Sequence, residues 1–418
     1  MDCTLRYGRR AALRRVLILG CVAICPAACS QNSAQVAVSP GAPPIRVLLV
    51  ESTQRVEISA TAPPTIHAGP GSPEQQLRFA PGVPATITLD PHGWHIGNAQ
   101  LARGELTLSP SADGSVSVAR HLYHGKFRFV PVGPDRFDVV NDVDVESYLR
   151  GVLRSELYPD WNDETYKAQA IVARTYALYE AKVEGAGHHF DVYNDQRSQV
   201  YGGIEAETPR SRSATFETNG IVVAYGQPGR ETIFKSYFSS CCGGIGQSVT
   251  DAFGESELPP LDAQNHGTCC SASPKFNWGP IIIPKAELTR RVRAWGAAKK
   301  RPEKDIAAIT RIDIQAANHL GRPVRFVISD ARGARFLLRG EQMREAVNSD
   351  AAANAPKIFS SFCKPVDEGA NIRFADGHGY GHGAGMCQWC AQKQATQGWN
   401  DEAIVLGAFP GAKLLRAY

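Results

Sequence analysis

The hydrophobic pattern of this chain changes once, at Asn141, and that change fixes its fold class. Before it, residues 45–140 hold short apolar or alternating runs: Arg46 to Val50, Arg55 to Ser59, Ala85 to Leu89, Leu106 to Leu108, Val116 to Ala119, Lys126 to Val130 and Arg136 to Val140. Gly, Pro, Asp and Ser separate them, as they separate half-buried strands joined by turns. After Asn141 the period lengthens. Asp144 caps a helix with apolar positions Val145, Tyr148, Leu149, Val152 and Leu153, and Pro159 stops it. Asn162 caps a second helix that runs to about Val183, with Asp163 and Glu164 in its first turn complementing the helix dipole. Ala168, Ala170, Ala173, Ala177 and Ala181 line that helix, so other backbone can approach it closely, and it is expected to be the central buried helix of the second domain. The class is α+β, a β-rich N-terminal region followed by a helix-containing core.

Further along, Gly220 to Tyr225, Thr232 to Phe238 and Gly246 to Val249 read as strands, with Cys241-Cys242-Gly243-Gly244 as a tight loop between two of them. Residues 285–297 read as a helix. Ile309 to Ala346 reads as three strands and a helix, which marks 285–375 as an inserted or accessory β/α subdomain. The core is then 141–284, completed by a tail at 376–418 that carries a helix from about Met386 to Gln397. The chain has 418 residues with 39 Gly and 27 Pro, enough length for two or three compact units and a high share of turn formers.

The net charge of +4 belongs to the first fifteen residues, where Arg6, Arg9, Arg10, Arg14 and Arg15 stand against Asp2. The remaining body is neutral, which argues against a nucleic-acid surface. The apolar run Val16 to Ala28 has the length of a secretory h-region, so residues 1–29 are expected to be a signal peptide or a lipoprotein or membrane anchor. The sequence Pro26-Ala27-Ala28-Cys29-Ser30 resembles a lipoprotein cleavage site. The body is therefore expected outside the cytoplasm: secreted, periplasmic or membrane-anchored. Seven cysteines remain in it: Cys241, Cys242, Cys269, Cys270, Cys363, Cys387 and Cys390. Export favours disulfides with one thiol left over. Cys387-x-x-Cys390 together with Cys241 and Cys242 equally offers four sulfur ligands to a zinc ion. Both readings stand.

Two further features carry chemistry. Glu156 lies in the turn between the two helices, crowded by Leu157, Tyr158 and Trp161. Apolar surroundings disfavour the charged carboxylate and raise its pKa towards the range of a general acid. An isolated Glu in a turn is, however, more often a solvated surface residue. In the tail, glycine recurs at every other position from Gly377 to Gly385. If that segment is extended, one face is bare backbone suited to close approach, and His378, Tyr380 and His382 share the other.

Longer motifs then become recognisable. Tyr123-His124-Gly125-Lys126, the run Val140 to Val152, Ser155-Glu156, Lys167 to Ala177, Ser198-Gln199-Val200-Tyr201-Gly202-Gly203, Tyr237 to Gly244 and Gly381 to Gln388 closely resemble the stage II sporulation protein D family, also called the amidase enhancer LytB family. The resemblance implies a SpoIID-like catalytic domain acting on peptidoglycan in cell-wall remodelling of the sporulation type. Sporulation members are similar to lytic transglycosylases that cut the MurNAc-GlcNAc bond of peptide-free glycan strands, and their essential Glu corresponds to Glu156. Such an enzyme needs no cofactor. Arg174, Gln199, Tyr201 and His382 are the substrate-binding candidates. The alternative is a non-catalytic peptidoglycan-binding partner that enhances a cell-wall amidase. A third reading is a zinc hydrolase built from His382 and the cysteines. Some members carry a zinc held by His and Cys in this region. Here Ser239 stands where relatives often have His, and Cys387 and Cys390 stand where they have Ser and Gly, so the ligand set is not a direct copy.

Overall fold

The computed structural model describes residues 41–69, 75–76, 82–112, 114–183 and 185–418. The segment 1–29, expected to be a signal or anchor, lies outside the described residues. Among the described residues no helix is long and apolar enough to cross a membrane.

The N-terminal half is built from two sheets. Strand Pro44–Thr53 is next to one edge of the larger one, pairing antiparallel with Phe137–Asp144 on one side and parallel with the edge strand Val192–Tyr193 on the other. Lys126–Pro131, Leu106–Ser109 and Thr65–Ala68 extend it. The smaller sheet centres on Arg55–Ala60, where Val56, Ile58 and Ala60 are buried and the residues between them are not. That period of two is the alternation the sequence carries. Both sheets turn their apolar faces to one core, filled by Trp94, Phe127, Phe129 and Phe137 among others.

Strand Phe137–Asp144 runs directly into helix α1, Val145–Glu156. Asp144 Oδ1 accepts from Ser147 N at 2.9 Å, satisfying one of the free donors of the first turn. Helix α2, Asp163–Val183, follows, with Asn162 Oδ1 accepting from Glu164 N at 2.9 Å. α2 is central, as its small side chains predict. Ala173 and Ala177 join the core of the two sheets, and Ala170 joins Leu153, Leu157 and Trp161. Ala168, Ile171 and Val172 join Val223, Met386 and Phe409 from the C-terminal part. The β-rich region and the helical core therefore share one apolar interior.

Helix α3, Pro209–Glu217, opens on a capping box between Thr208 and Ser211. The expected strand at Gly246 to Val249 is instead a turn leading into the short helix α4, Val249–Ala252, because Ser248 Oγ caps it by accepting from Asp251 N. Residues 281–375 form a compact accessory unit with its own core around Trp295, Phe326, Met343 and Phe374. In it, the antiparallel strands Ile309–Ala317, Pro323–Asp330 and Arg335–Arg339 pack with helices α5, Lys285–Ala298, and α6, Gly340–Asn348. The chain then returns to the main body through α7, Gln388–Thr396, and α8, Asp401–Ala408. Its last strand, Lys413–Arg416, pairs antiparallel with Ile221–Tyr225.

The glycine-rich tail departs from the extended reading. Gly379, Gly381, Gly383 and Gly385 all have positive φ, between 68° and 95°, so the segment is a succession of left-handed bends. Close approach is nevertheless what the glycines permit. A Cβ at Gly385 would lie 2.0 Å from the carbonyl oxygen of Tyr237. The bends also separate the three side chains expected on one face. His378 packs on Phe362, Tyr380 on Phe359, and His382 on Tyr237 and Phe253.

Candidate functional site

Glu156 is the last residue of α1, and Leu157 ends the helix in an extended conformation. The side chain is half-buried. Its Oε1 accepts from the backbone N–H of Val200 at 2.8 Å, and Oε2 has no protein donor among the described residues. Burial raises the pKa of this carboxyl above its ordinary value, the Val200 hydrogen bond opposes the shift, and no neighbouring charge contributes. Its place at the negative end of a helix dipole also works against the charged form. One oxygen is thus fixed, the other is free to meet a ligand, and the proton is held more tightly than by a solvated Glu.

Two distant segments meet at this residue. The 198–203 motif supplies Val200, and Gly202 lies so close to α1 that a Cβ there would be 2.9 Å from Ser155 Oγ. From the tail, Gln388 Nε2 donates to the backbone oxygen of Glu156 at 3.4 Å. Next to it, Trp389 packs edge-on to Trp161 at 5.0 Å between ring centroids and lies 5.7 Å from Tyr158. Tyr158 is 50% exposed, so an aromatic surface open to solvent flanks the turn that carries the carboxylate. A cleft of about 530 Å³ opens beside the same turn, lined by Arg154, Pro159, Lys167 and Arg210, although Glu156 does not line it. Two of its cations are paired within the protein, Lys167 with Glu164 and Glu217, and Arg210 with Asp163, while Arg154 donates to Leu157 O at 3.4 Å.

The other residues singled out from sequence support this site from beneath. Arg174 is fully buried and doubly bonded to Glu146, Nε to Oε1 and Nη2 to Oε2, each at 2.8 Å. Gln199 is fully buried, its Oε1 accepting from Tyr148 Oη at 3.1 Å and its Nε2 donating to Ala173 O at 3.4 Å. Tyr201 is buried against Tyr148 and Tyr123 and donates to Asn141 Oδ1 at 3.3 Å. Arg174 and Gln199 present no surface to a ligand. Their bonds position α1, α2 and the 198–203 loop. His382 packs on Tyr237 and Phe253, with Nδ1 accepting from Ala384 N at 3.1 Å. Burial pulls its pKa down to about 4, which keeps the ring neutral. The residues that sequence reasoning missed are Val200, which acts through its backbone N–H, and Gln388, which lies inside a quoted motif.

Beyond the aromatic surface lies a buried thiol cluster. The sulfurs of Cys242, Cys270, Cys387 and Cys390 all fall within 4.8 Å of one another. Three of these belong to the set expected from sequence, and Cys270 takes the corner assigned there to Cys241. Cys241 is beside the cluster, its Sγ directed at the carbonyl of Cys270 at 4.0 Å. The hydrogen bond from Cys241 leads the effects that pull the Cys270 thiol down to about 4, and burial leads those that push Cys387 up. Four sulfurs at these separations suit a thiophilic ion such as zinc.

Residues 134–225, which hold α1, Glu156, α2 and the 198–203 loop, match the sequence model described as SpoIID, Stage II sporulation protein. This segment is a SpoIID domain, and the match together with the relatives below supports the SpoIID/LytB family and a role related to the cell wall. Among its relatives, an uncharacterized protein of Brachyspira hyodysenteriae (strain ATCC 49526 / WA1) is 29% identical over 279 residues, covering 65% of this chain and 67% of the relative. The protein named Amidase enhancer from Bacillus subtilis (strain 168) is 22% identical over 299 residues, covering 64% of this chain and 40% of that longer protein.

Proposed function

We propose that this chain is a lytic transglycosylase that cleaves peptidoglycan glycan strands outside the cytoplasm, with Glu156 as its single acid and base. The observation that carries the reading is the state of Glu156: one oxygen fixed by Val200 N–H, the other free, and a proton affinity raised by burial. Most glycosidases divide the work between two carboxylates. A transglycosylase manages with one, because the nucleophile is the C6 hydroxyl of the same muramic acid whose C1 is attacked. Protonated Glu156 gives its proton to the glycosidic oxygen as the C1–O bond breaks. The resulting carboxylate then takes the C6 hydroxyl proton as that oxygen closes on C1, leaving a 1,6-anhydro end and a regenerated acid. Tyr158 and Trp389 supply faces on which sugar rings stack. The N-terminal 1–29 segment would provide export and a membrane or lipid anchor.

The deciding experiment is mass spectrometry of peptide-free glycan strands incubated with the purified protein. Anhydro-muramic products are expected, and Glu156→Gln is expected to slow their formation by on the order of 10²–10⁴. Their absence with the wild-type protein, or their formation by the variant at the wild-type rate, refutes the enzyme reading. The second reading is an enhancer that binds the wall and stimulates an amidase, favoured by the name of the Bacillus relative, Amidase enhancer. Stimulation of a cell-wall amidase that survives Glu156→Gln, without glycan cleavage by either protein form, would support it.

A further inference from the structure

We infer that Cys242, Cys270, Cys387 and Cys390 form a closed four-thiolate zinc site, and that its ion clamps the start of α7 so that Gln388 and Trp389 stay against the Glu156 turn. Three chain segments far apart in sequence bring these sulfurs together: the loop after strand Phe238–Ser239, the segment 269–270, and the tail. A tetrahedral zinc with bonds of about 2.3 Å places its sulfurs roughly 3.8 Å apart. Cys242 and Cys270 are at 3.5 Å and no pair in the quartet exceeds 4.8 Å, so closing around an ion needs only small adjustments. All four residues are buried, as in a structural site that admits no water.

The surroundings match a thiolate cage. The backbone N–H of Cys242 donates to Cys387 Sγ at 3.3 Å, the kind of outer contact that stabilises a ligating sulfur. Cys387 is the N-cap of α7 and Cys390 lies in its first turn, where the helix dipole favours negative sulfur. In each adjacent pair one thiol belongs to the quartet and the other is directed at a backbone carbonyl of a quartet residue. Cys241 Sγ is directed at Cys270 O, and Cys269 Sγ at Cys390 O at 3.8 Å. This selects Cys270 over Cys241 as the fourth ligand. With four protein ligands no coordination position is left for a water nucleophile, so the ion is structural. His382 bonds to Ala384 N instead, and is not part of the set.

The clamp follows from where the ligands sit. Gln388 and Trp389 are the two residues between Cys387 and Cys390. They contact Glu156 O, Gln169 Oε1, Trp161 and Tyr158. Parallel pairing of Phe238–Ser239 with Met386–Cys387 is only two residues long, and one further backbone bond, Trp389 N–H to Ser240 O at 3.1 Å, extends it into the helix. An ion bonded to both ends of that dipeptide fixes it to the 241–242 loop and to Cys270.

The test uses the full chain purified without chelator and needs no glycan assay, so it stands or falls independently of the transglycosylase reading. Elemental analysis and native mass spectrometry are expected to give one zinc per chain. Cys270→Ser is expected to lose it, and Cys241→Ser to retain it. Cobalt(II) exchanged into the wild-type protein is expected to show the intense charge-transfer bands of a tetrahedral thiolate site, which reads the ligands even if a variant fails to fold. Hydrogen exchange after zinc removal is expected to rise in 155–161 and 387–392 while the strands at 309–339 stay protected. Absence of zinc with a denatured mass lighter by the hydrogens of two disulfides, another metal in its place, or zinc lost in Cys241→Ser but kept in Cys270→Ser overturns the site. Unchanged exchange at 155–161, or loss of protection throughout the chain, overturns the clamp.

Discussion

Replacing Arg174 by Met separates a supporting role from a binding one. The guanidinium is fully buried, donates twice to Glu146 at 2.8 Å, and adds a bond to Ile221 O at 3.0 Å. Met fills much of the same volume and removes every one of these donors. Glu146, itself 3% exposed, then keeps only Tyr418 Oη and the backbone N–H of Gly220 at 3.3 Å. A carboxylate left buried without its cation costs about 3–5 kcal/mol, a large part of the total stability of an ordinary domain. Urea unfolding followed by tryptophan fluorescence should show a lower midpoint at unchanged slope. Adding Glu146→Gln should recover part of the loss, because the uncompensated charge is gone, and the double-mutant cycle then gives the coupling of the pair. Arg174→Lys keeps the charge but not the fork, and should fall between wild type and Met. The reasoning fails if Arg174→Met unfolds at the wild-type midpoint while losing affinity for glycan strands, since that result would place the guanidinium on the ligand.

Four shorter predictions accompany it. Glu156→Gln should reduce anhydro-muramic product formation by on the order of 10²–10⁴ while leaving the Val200 N–H an acceptor, read by product mass spectrometry and circular dichroism. The same variant should be more stable than wild type at neutral pH. A raised folded-state pKa makes stability fall as pH climbs above 4.5, the ordinary Glu value, and an uncharged side chain escapes that loss, so the gain should vanish below pH 4.5 in chemical unfolding. His382 has the opposite sign. Its folded pKa of about 4 lies below the ordinary 6.5, so its contribution is present above pH 6.5 and lost as pH falls towards 4, and His382→Gln should flatten that slope. Gly385→Ala meets Tyr237 O at 2.0 Å with φ at +68° and should lower the melting temperature by an amount corresponding to more than about 1 kcal/mol.

The parts of this fold that were legible in the sequence are those set by local rules. Asp144 and Asn162 announce α1 and α2 because a capping side chain and the residues it serves are neighbours in the chain. The alanines of α2 mark it as central because small residues carry the same meaning wherever the partner comes from. The tail shows the limit of that logic. Alternating glycine says that backbone will come close, but it does not say whether the glycines are extended or left-handed, and the positive φ values scatter His378, Tyr380 and His382. Motif membership has a similar limit. Arg174 and Gln199 lie in motifs and are polar, which reads equally as a binding surface or as a buried brace, and only the position of Glu146 and Tyr148 decides for the brace. The donor that fixes Glu156 is a backbone N–H, which any residue but proline at 200 would provide, so no side-chain pattern marks it. The cysteines come closest to being readable. Their adjacent pairs and the Cys387-x-x-Cys390 spacing announce a thiol cluster, and Cys241 is indeed buried within it. Which four sulfurs lie within 4.8 Å of one another depends on the backbone at Cys241 and Cys269, and it is this that brings Cys270 into the quartet.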